Sequence, residues 1–172
     1  MNLKISILIS FLVCVYASCN TKEKATVYPY KVPCDIGYMH LCHKVQFANG
    51  KEVLVANLKG LQYQWGVTYT VVLNKIEDGK YMDKSDFQYD VVEIVDSKIE
   101  TENIDVIIKN RDSQFYSYND EKYFLSDGTE FIITDALKNT LKNYTAGENS
   151  IVGSFEIDRD SRILELKLLK QL

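Results

Sequence analysis

Residues that break or stiffen a backbone are scarce in this chain, with two prolines and eight glycines among 172 residues. That excludes collagen-like and proline-rich linker architectures. Histidine is scarcer than most chemistry would want, at two residues, His40 and His43. Positive charge is not in surplus either: 20 Lys and Arg stand against 24 Asp and Glu, a net of −4. Phosphate binding needs a clustered basic face, so nucleic acid is not an expected partner. No apolar run reaches the roughly 20 residues of a membrane-spanning helix. There is no G-x-S-x-G elbow, H-E-x-x-H helix or phosphate-binding loop. What is present is a globular composition, 46% hydrophobic and 26% charged, with twelve tyrosines against seven phenylalanines.

The N-terminus reads as an address. Met1 to Lys4 is short and positive, and Ile5 to Tyr16 is an almost unbroken apolar run of twelve residues. That length suits the apolar region of a signal peptide. Tyr16-Ala17-Ser18-Cys19 follows, two small residues before a cysteine, and resembles the lipobox of bacterial lipoproteins. Tyr16 stands where an aliphatic residue is usual. The resemblance implies acylation of Cys19 as the mature N-terminus, residues 1–18 being the signal peptide and 19–26 a polar tether. The expected location is the bacterial cell envelope, at the outer membrane, with the lipid bilayer as a partner. The bland alternative is a secretory cut after Ala17 or Ser18 that leaves a free thiol. A multiply acylated cysteine anchors stably, whereas an unpaired thiol outside the cell is a liability.

From Val27 onward, short runs with a period of two predict a mainly β chain, a β-rich α+β fold. Val27–Val32 contains Pro29 and is expected at a sheet edge. Leu41–Phe47, Val67–Leu73 and Phe87–Val95 alternate as strands; Val53–Leu58 is either a strand or a helical turn. Asn49-Gly50, Asp78-Gly79 and Asp127-Gly128 mark turns. These elements predict small antiparallel sheets or a barrel-like N-terminal half over 27–98. Residues 99–172 carry 9 Lys and Arg against 14 Asp and Glu, whereas residues 20–98 carry ten of each. This acidic half is expected to comprise strands at Ile104–Ile108, Tyr116–Leu125, Phe131–Ile133, Ile151–Ile157 and Ile163–Leu169, with one helix over 136–144. Leu137, Leu141 and Tyr144 give that helix an apolar face. Both halves read as two strands, an irregular or helical piece, then two strands, which suggests an internal repeat.

Four ordered motifs occupy residues 27–98: Val32-Pro33-Cys34, Leu41-Cys42, Gly60-Leu61-Gln62-Tyr63-Gln64-Trp65-Gly66-Val67-Thr68-Tyr69, and Phe87-Gln88-Tyr89-Asp90-Val91-Val92-Glu93-Ile94. Together they resemble a bacterial family of secreted domains of unknown function. Its members often accompany META/HslJ-type domains in envelope lipoproteins. The resemblance implies no catalytic residues and no cofactor, and residues 99–172 show no META motif.

Several constellations could carry chemistry. Cys34 and Cys42, which the family pattern also carries, remain as an even pair after export and read as a disulfide in an oxidising envelope. The sharper alternative is zinc held by Cys34, His40, Cys42 and His43, although their spacing is poor and a strand would turn His43 away from His40 and Cys42. Tyr63, Trp65 and Tyr69 share a parity and form the candidate binding surface, an aromatic platform for a sugar, peptide or protein; the competing reading is core. Asp83 with Asp86 and Asp158 with Asp160 are paired carboxylates of the kind glycosidases use, though in turns such residues are mostly solvated. Asp158-x-Asp160 also suggests a loose calcium site, without the glycine and distal glutamate of an EF-hand loop. The leading expectation is a non-enzymatic, lipid-anchored binding or structural module. A carboxylate-based hydrolase of envelope polymers, or a stress-protective envelope protein, is the alternative.

Overall fold

A computed structural model of the chain describes residues 22–35, 39–77, 87–100, 102–111, 113–158 and 160–172. The expected signal peptide, Cys19, the expected Asp78-Gly79 turn and the Asp83/Asp86 pair lie outside them.

Strands β1 (Lys22–Asp35), β2 (Met39–Phe47), β3 (Glu52–Val55), β4 (Leu58–Lys59), β5 (Val67–Glu77) and β6 (Phe87–Ile99) form one sheet. Its order is β3-β2-β1-β5-β6-β4. β5 shows why the segment is a strand: Val67, Tyr69, Val71 and Leu73 are buried, with half-buried Thr68, Thr70 and Val72 between them. β-Branched and aromatic side chains at period two fit a pleat that packs on one face.

β1 lies between β2 and β5, but β5 pairs with it only over Lys22–Val27; among the described residues, Tyr28–Val32 has ladder partners on the β2 side alone, so the expected edge segment is an edge within a longer strand. Pro29 is tolerated because it falls in a register break between Val27 and Lys31, where no ladder amide is needed; its carbonyl accepts from the Gly66 N–H at 2.7 Å. One expectation is corrected: residues 22–26, read as part of a polar tether, belong to β1, which pairs at Lys22 with Asn74 of β5. Ladder pairing recruits Lys22, Glu23 and Lys24 despite their polarity, because backbone bonds form the ladder whatever the side chain.

The ambiguous Val53–Leu58 segment resolves into β3 and β4, separated by Ala56 and Asn57. β3 pairs antiparallel with β2, and β4 pairs parallel with β6 at Leu58–Tyr89 and Lys59–Asp90. The two edges of the sheet are therefore consecutive in the chain, and the sheet curls towards itself. With β3 and β4 counted as one strand, the order is 1-2-3-5-4-1, that of the five-stranded OB-type barrel. Gly60 ends β4 at φ +88°, where a Cβ would come within 3.0 Å of the Val91 carbonyl oxygen.

The second sheet contains β7 (Asn103–Asn110), β8 (Ser113–Gln114), β9 (Tyr116–Asn119), β10 (Lys122–Leu125), β11 (Glu130–Ile133), β12 (Ile151–Ile157) and β13 (Leu164–Gln171). Its order is β8-β7-β12-β13-β11-β10-β9, and its edges β8 and β9 are separated by Phe115 alone. The expected single strand over Tyr116–Leu125 is a hairpin. Asp120 and Glu121 both take positive φ, 48° and 66°, the backbone a two-residue turn between twisted strands demands. Helix α1 (Asp135–Thr145) follows β11 and buries Leu141. Its Asp135 pairs with Lys138 at 2.8 Å. Lys109 of β7 is buried and donates to the carbonyls of Gly147 and Asn149, just past the helix C-terminus, where a cation is favoured.

The two sheets share a connectivity. In each, the final hairpin returns antiparallel to the first strand, and the last strand lies parallel to the strand before the crossover: β6 beside β4, and β13 beside β11. The crossover is the Gly60–Gly66 segment in one half and α1 in the other. The suggested repeat is thus one of topology, with an extra hairpin in the second half. The mainly β class with a single short helix among the described residues matches the sequence reading.

Candidate functional site

The aromatic motif residues converge on the seam between the two sheets. Cys34 and Cys42 are joined by a disulfide, with Cα atoms 5.8 Å apart, diagonally between β1 and β2, where Cys34 lies opposite His40 and Cys42 opposite Val32. Both sulfurs are thereby used, so neither supplies a thiolate to the zinc alternative. Two imidazoles remain, at positions of opposite parity on β2. His43 is buried and packs edge-on against Tyr63 with ring centroids 4.6 Å apart. Burial, with Lys31 nearby, drives its pKa down to about 3. It is a neutral packing group at physiological pH.

Tyr63, Trp65 and Tyr69 are brought together as parity suggested, with centroids of Trp65 and Tyr69 at 6.0 and 6.1 Å from that of Tyr63. They do not form an open platform. Trp65 is 5% and Tyr69 6% exposed, and burial raises the pKa of both Tyr63 and Tyr69. The reason is positional. Gly60–Gly66 runs between β4 and β5 at the seam, so the rings fall between two hydrophobic cores instead of on an outer face. Trp65 and Leu41 pack with Ile104, Phe115, Phe131 and Leu166 of the second sheet, while Tyr69 belongs to the first. Tyr63 touches both clusters.

Polar side chains fasten this seam. Lys31 Nζ lies 2.7 Å from Asp127 Oδ2, with side chains only 10% and 3% exposed. The same ammonium sits 5.2 Å from the centre of the Tyr63 ring, a cation–π contact. Asp127 also accepts the Thr129 N–H at 3.0 Å. Burial alone would raise the Asp127 pKa, but the Lys31 charge and these hydrogen bonds outweigh it and hold the carboxyl below the usual range. Trp65 Nε1 donates to Thr129 Oγ1 at 3.0 Å, and Arg162 Nη2 donates to the Trp65 carbonyl at 2.6 Å. Tyr63 donates to the Tyr28 carbonyl at 3.3 Å, and Tyr69 accepts from the Gln64 N–H at 3.1 Å.

Lys31, Asp127, Thr129 and Arg162 had no functional role in the sequence reading. Asp127 was legible only as a turn residue, which it also is, since Gly128 at φ +85° follows it. Lys31 broke an apolar alternation on a strand, a weak signal for a buried partner. Asp158 is occupied as well: its Oδ1 accepts from the N–H groups of Asp160 and Ser161 and from the Ser161 hydroxyl, within its own turn. This satisfies the carboxylate locally, as an Asx turn does, in place of a calcium ligand set.

Chemically, a desolvated ion pair and a T-shaped aromatic stack hold the two sheets together, and a disulfide ties β1 to β2 within the first. A shallow cleft of about 330 Å³ lies elsewhere, lined by Lys24, Thr26, Gln46, Phe47, Gly50 and Thr70. No helix among the described residues is long and apolar enough to cross a membrane. Comparison with protein-family models, with curated proteins and with solved structures returned no match.

Proposed function

We propose that this chain is an envelope lipoprotein, anchored to the bilayer through an acylated Cys19, whose two-sheet body serves as a non-catalytic binding or structural module. The observation that carries the reading is the order of the N-terminus. A positive start, a twelve-residue apolar run and Ala17-Ser18-Cys19 are followed by a β-strand at Lys22. Little chain is left between anchor and body. The motif resemblance of residues 27–98 to secreted envelope domains supports the same reading.

Asp127 is committed to Lys31 and Asp158 to its turn, and both are held below the ordinary range, the latter chiefly by its Ser161 bonds. A general acid of a hydrolase needs the opposite shift. With the Tyr63–Trp65–Tyr69 trio taken up by the seam, a ligand face has to be sought on exposed aromatic side chains. Tyr118 is 59% exposed, and its ring stacks on Tyr123 at 4.7 Å, beside Tyr116 on the β9–β10 hairpin.

The test is to express the full chain with its leader and feed an alkyne-labelled fatty acid. Label on the chain, lost in Cys19→Ala together with membrane fractionation, is the expected result. An unmodified Cys19 or Asn20 as the mature N-terminus by mass spectrometry would overturn the anchor. Loss of glycan or peptide capture in Tyr118→Ala, with the fold intact, would identify the module as a binder.

A further inference from the structure

We propose that this chain pairs with a second copy of itself through the free edge of β6, forming a continuous sheet with a two-fold axis at Ser97. β6 is paired along one side with β5 throughout, but on its other side β4 covers only Tyr89 and Asp90. Among the described residues no strand pairs with that side beyond Asp90. An uncovered edge is a template for another strand, and proteins usually shorten or cover it. Here it carries exposed apolar side chains, Ile94 and Val95 at 47% and Ile99 at 63%.

The register of β6 against β5 limits the available ladder. Val71 lies opposite Ile94 and Thr70 opposite Asp96, so Val95 is the extra residue of a bulge. From there to the strand end, pairing is regular: Asp96 with Thr70, Ser97 with Tyr69, Lys98 with Thr68 and Ile99 with Val67. Directly opposed residues share a face. Ser97 and Ile99 therefore share the face of buried Tyr69 and Val67, while Asp96 and Lys98 share the face of Thr70 and Thr68.

The occupant follows from charge. In an antiparallel pair of two such edges centred on Ser97, Asp96 of each copy faces Lys98 of the other on one face. On the other face Val95 meets Ile99 twice. Registers two residues away place Asp96 against Asp96 or Lys98 against Lys98, and like charges directly opposite are destabilising. The edge is thus self-complementary in one register. In the single chain the Ser97 N–H donates at 2.9 Å to the neighbouring Asp96 carboxylate, a local substitute for a strand partner. Lys98 likewise holds Glu100 of its own chain at 3.1 Å, an exposed pair of small worth. Five residues from each copy make a contact smaller than those of stable dimers, so the expected association is weak and rises with concentration.

Ser97→Cys tests the axis, because two-fold pairing brings the two thiols directly opposite. The purified full chain carrying this change in a Cys14→Ser, Cys19→Ser background, at its highest soluble concentration under mild oxidation, is expected to run as a covalent dimer without reductant. Adding Asp96→Lys should abolish the cross-link, and adding Lys98→Asp to that variant should restore it. The restored variant also guards against simple misfolding. Absence of dimer in Ser97→Cys, or dimer formation indifferent to either charge change, would overturn the proposal.

Discussion

Replacing Asp127 by asparagine probes the seam most directly. The change keeps size and removes charge, leaving the Lys31 ammonium 10% exposed with no anion beside it. Breaking one side of a buried pair costs about 3–5 kcal/mol, because the remaining charge is desolvated and uncompensated. Domains of this size have about 5–15 kcal/mol in total, so the loss is severe without being certain to unfold the chain. With a urea slope of about 2 kcal/mol per molar, the midpoint should fall by roughly 2 M. Followed by Trp65 fluorescence and by far-UV circular dichroism, the two signals should move together if the seam couples the sheets. The double variant Lys31→Met, Asp127→Leu removes both charges and should recover most of the loss. The pH dependence has a definite sign. The folded Asp127 pKa lies below the unfolded value, so its stabilisation is complete above about pH 4 and disappears as pH falls through the folded pKa. Asp127→Asn should flatten that acid limb. A midpoint shift under about 0.3 M, or a double variant no better than the single one, would refute the desolvated pair.

Other consequences follow from the same geometry. His43 is held neutral by burial with its pKa near 3. Its contribution is complete above the unfolded value near 6.5 and declines as pH falls towards 3, by about 2 kcal/mol at pH 5. A His43→Leu chain that lost stability as steeply over pH 6.5–4 would contradict this. A chain lacking residues 1–19 should show no reactive thiol until reduced and two afterwards, with Cys34→Ser costing about 2–3 kcal/mol in thermal or urea unfolding. Gly153→Ala would place a Cβ 2.8 Å from Phe155 Cε2 and 2.9 Å from Leu166 Cδ1. Such overpacking should cost about 1–3 kcal/mol by urea titration. Trp65, the single tryptophan, should emit as a buried indole and resist iodide quenching.

Local features were legible in the residues. Alternation of Val67, Tyr69, Val71 and Leu73 was enough to place β5, since a strand's two faces are written at a period of two. Asn49-Gly50 and Asp127-Gly128 marked turns because glycine supplies the positive φ there. The Asp120-Glu121 turn was missed because neither residue advertises that backbone. Helix α1 was read to within a residue at each end from its apolar spacing. The topological repeat showed only as an order of elements, because sheet connectivity constrains which faces are apolar and leaves side-chain identity free.

By itself, then, the sequence determined a β-rich body with one cysteine pair to close a short loop. Local bonds decide such things: backbone period, turn chemistry and proximity along the chain. The tertiary structure alone decided which aromatic rings meet water and which charges are buried. Lys31 and Asp127 are 96 residues apart, Trp65 and Thr129 are 64, and Trp65 and Arg162 are 97. No periodicity spans such distances. Stacking one sheet against the other turns Tyr63, Trp65 and Tyr69 from an apparent platform into a seam, and it leaves the far edge of β6 open.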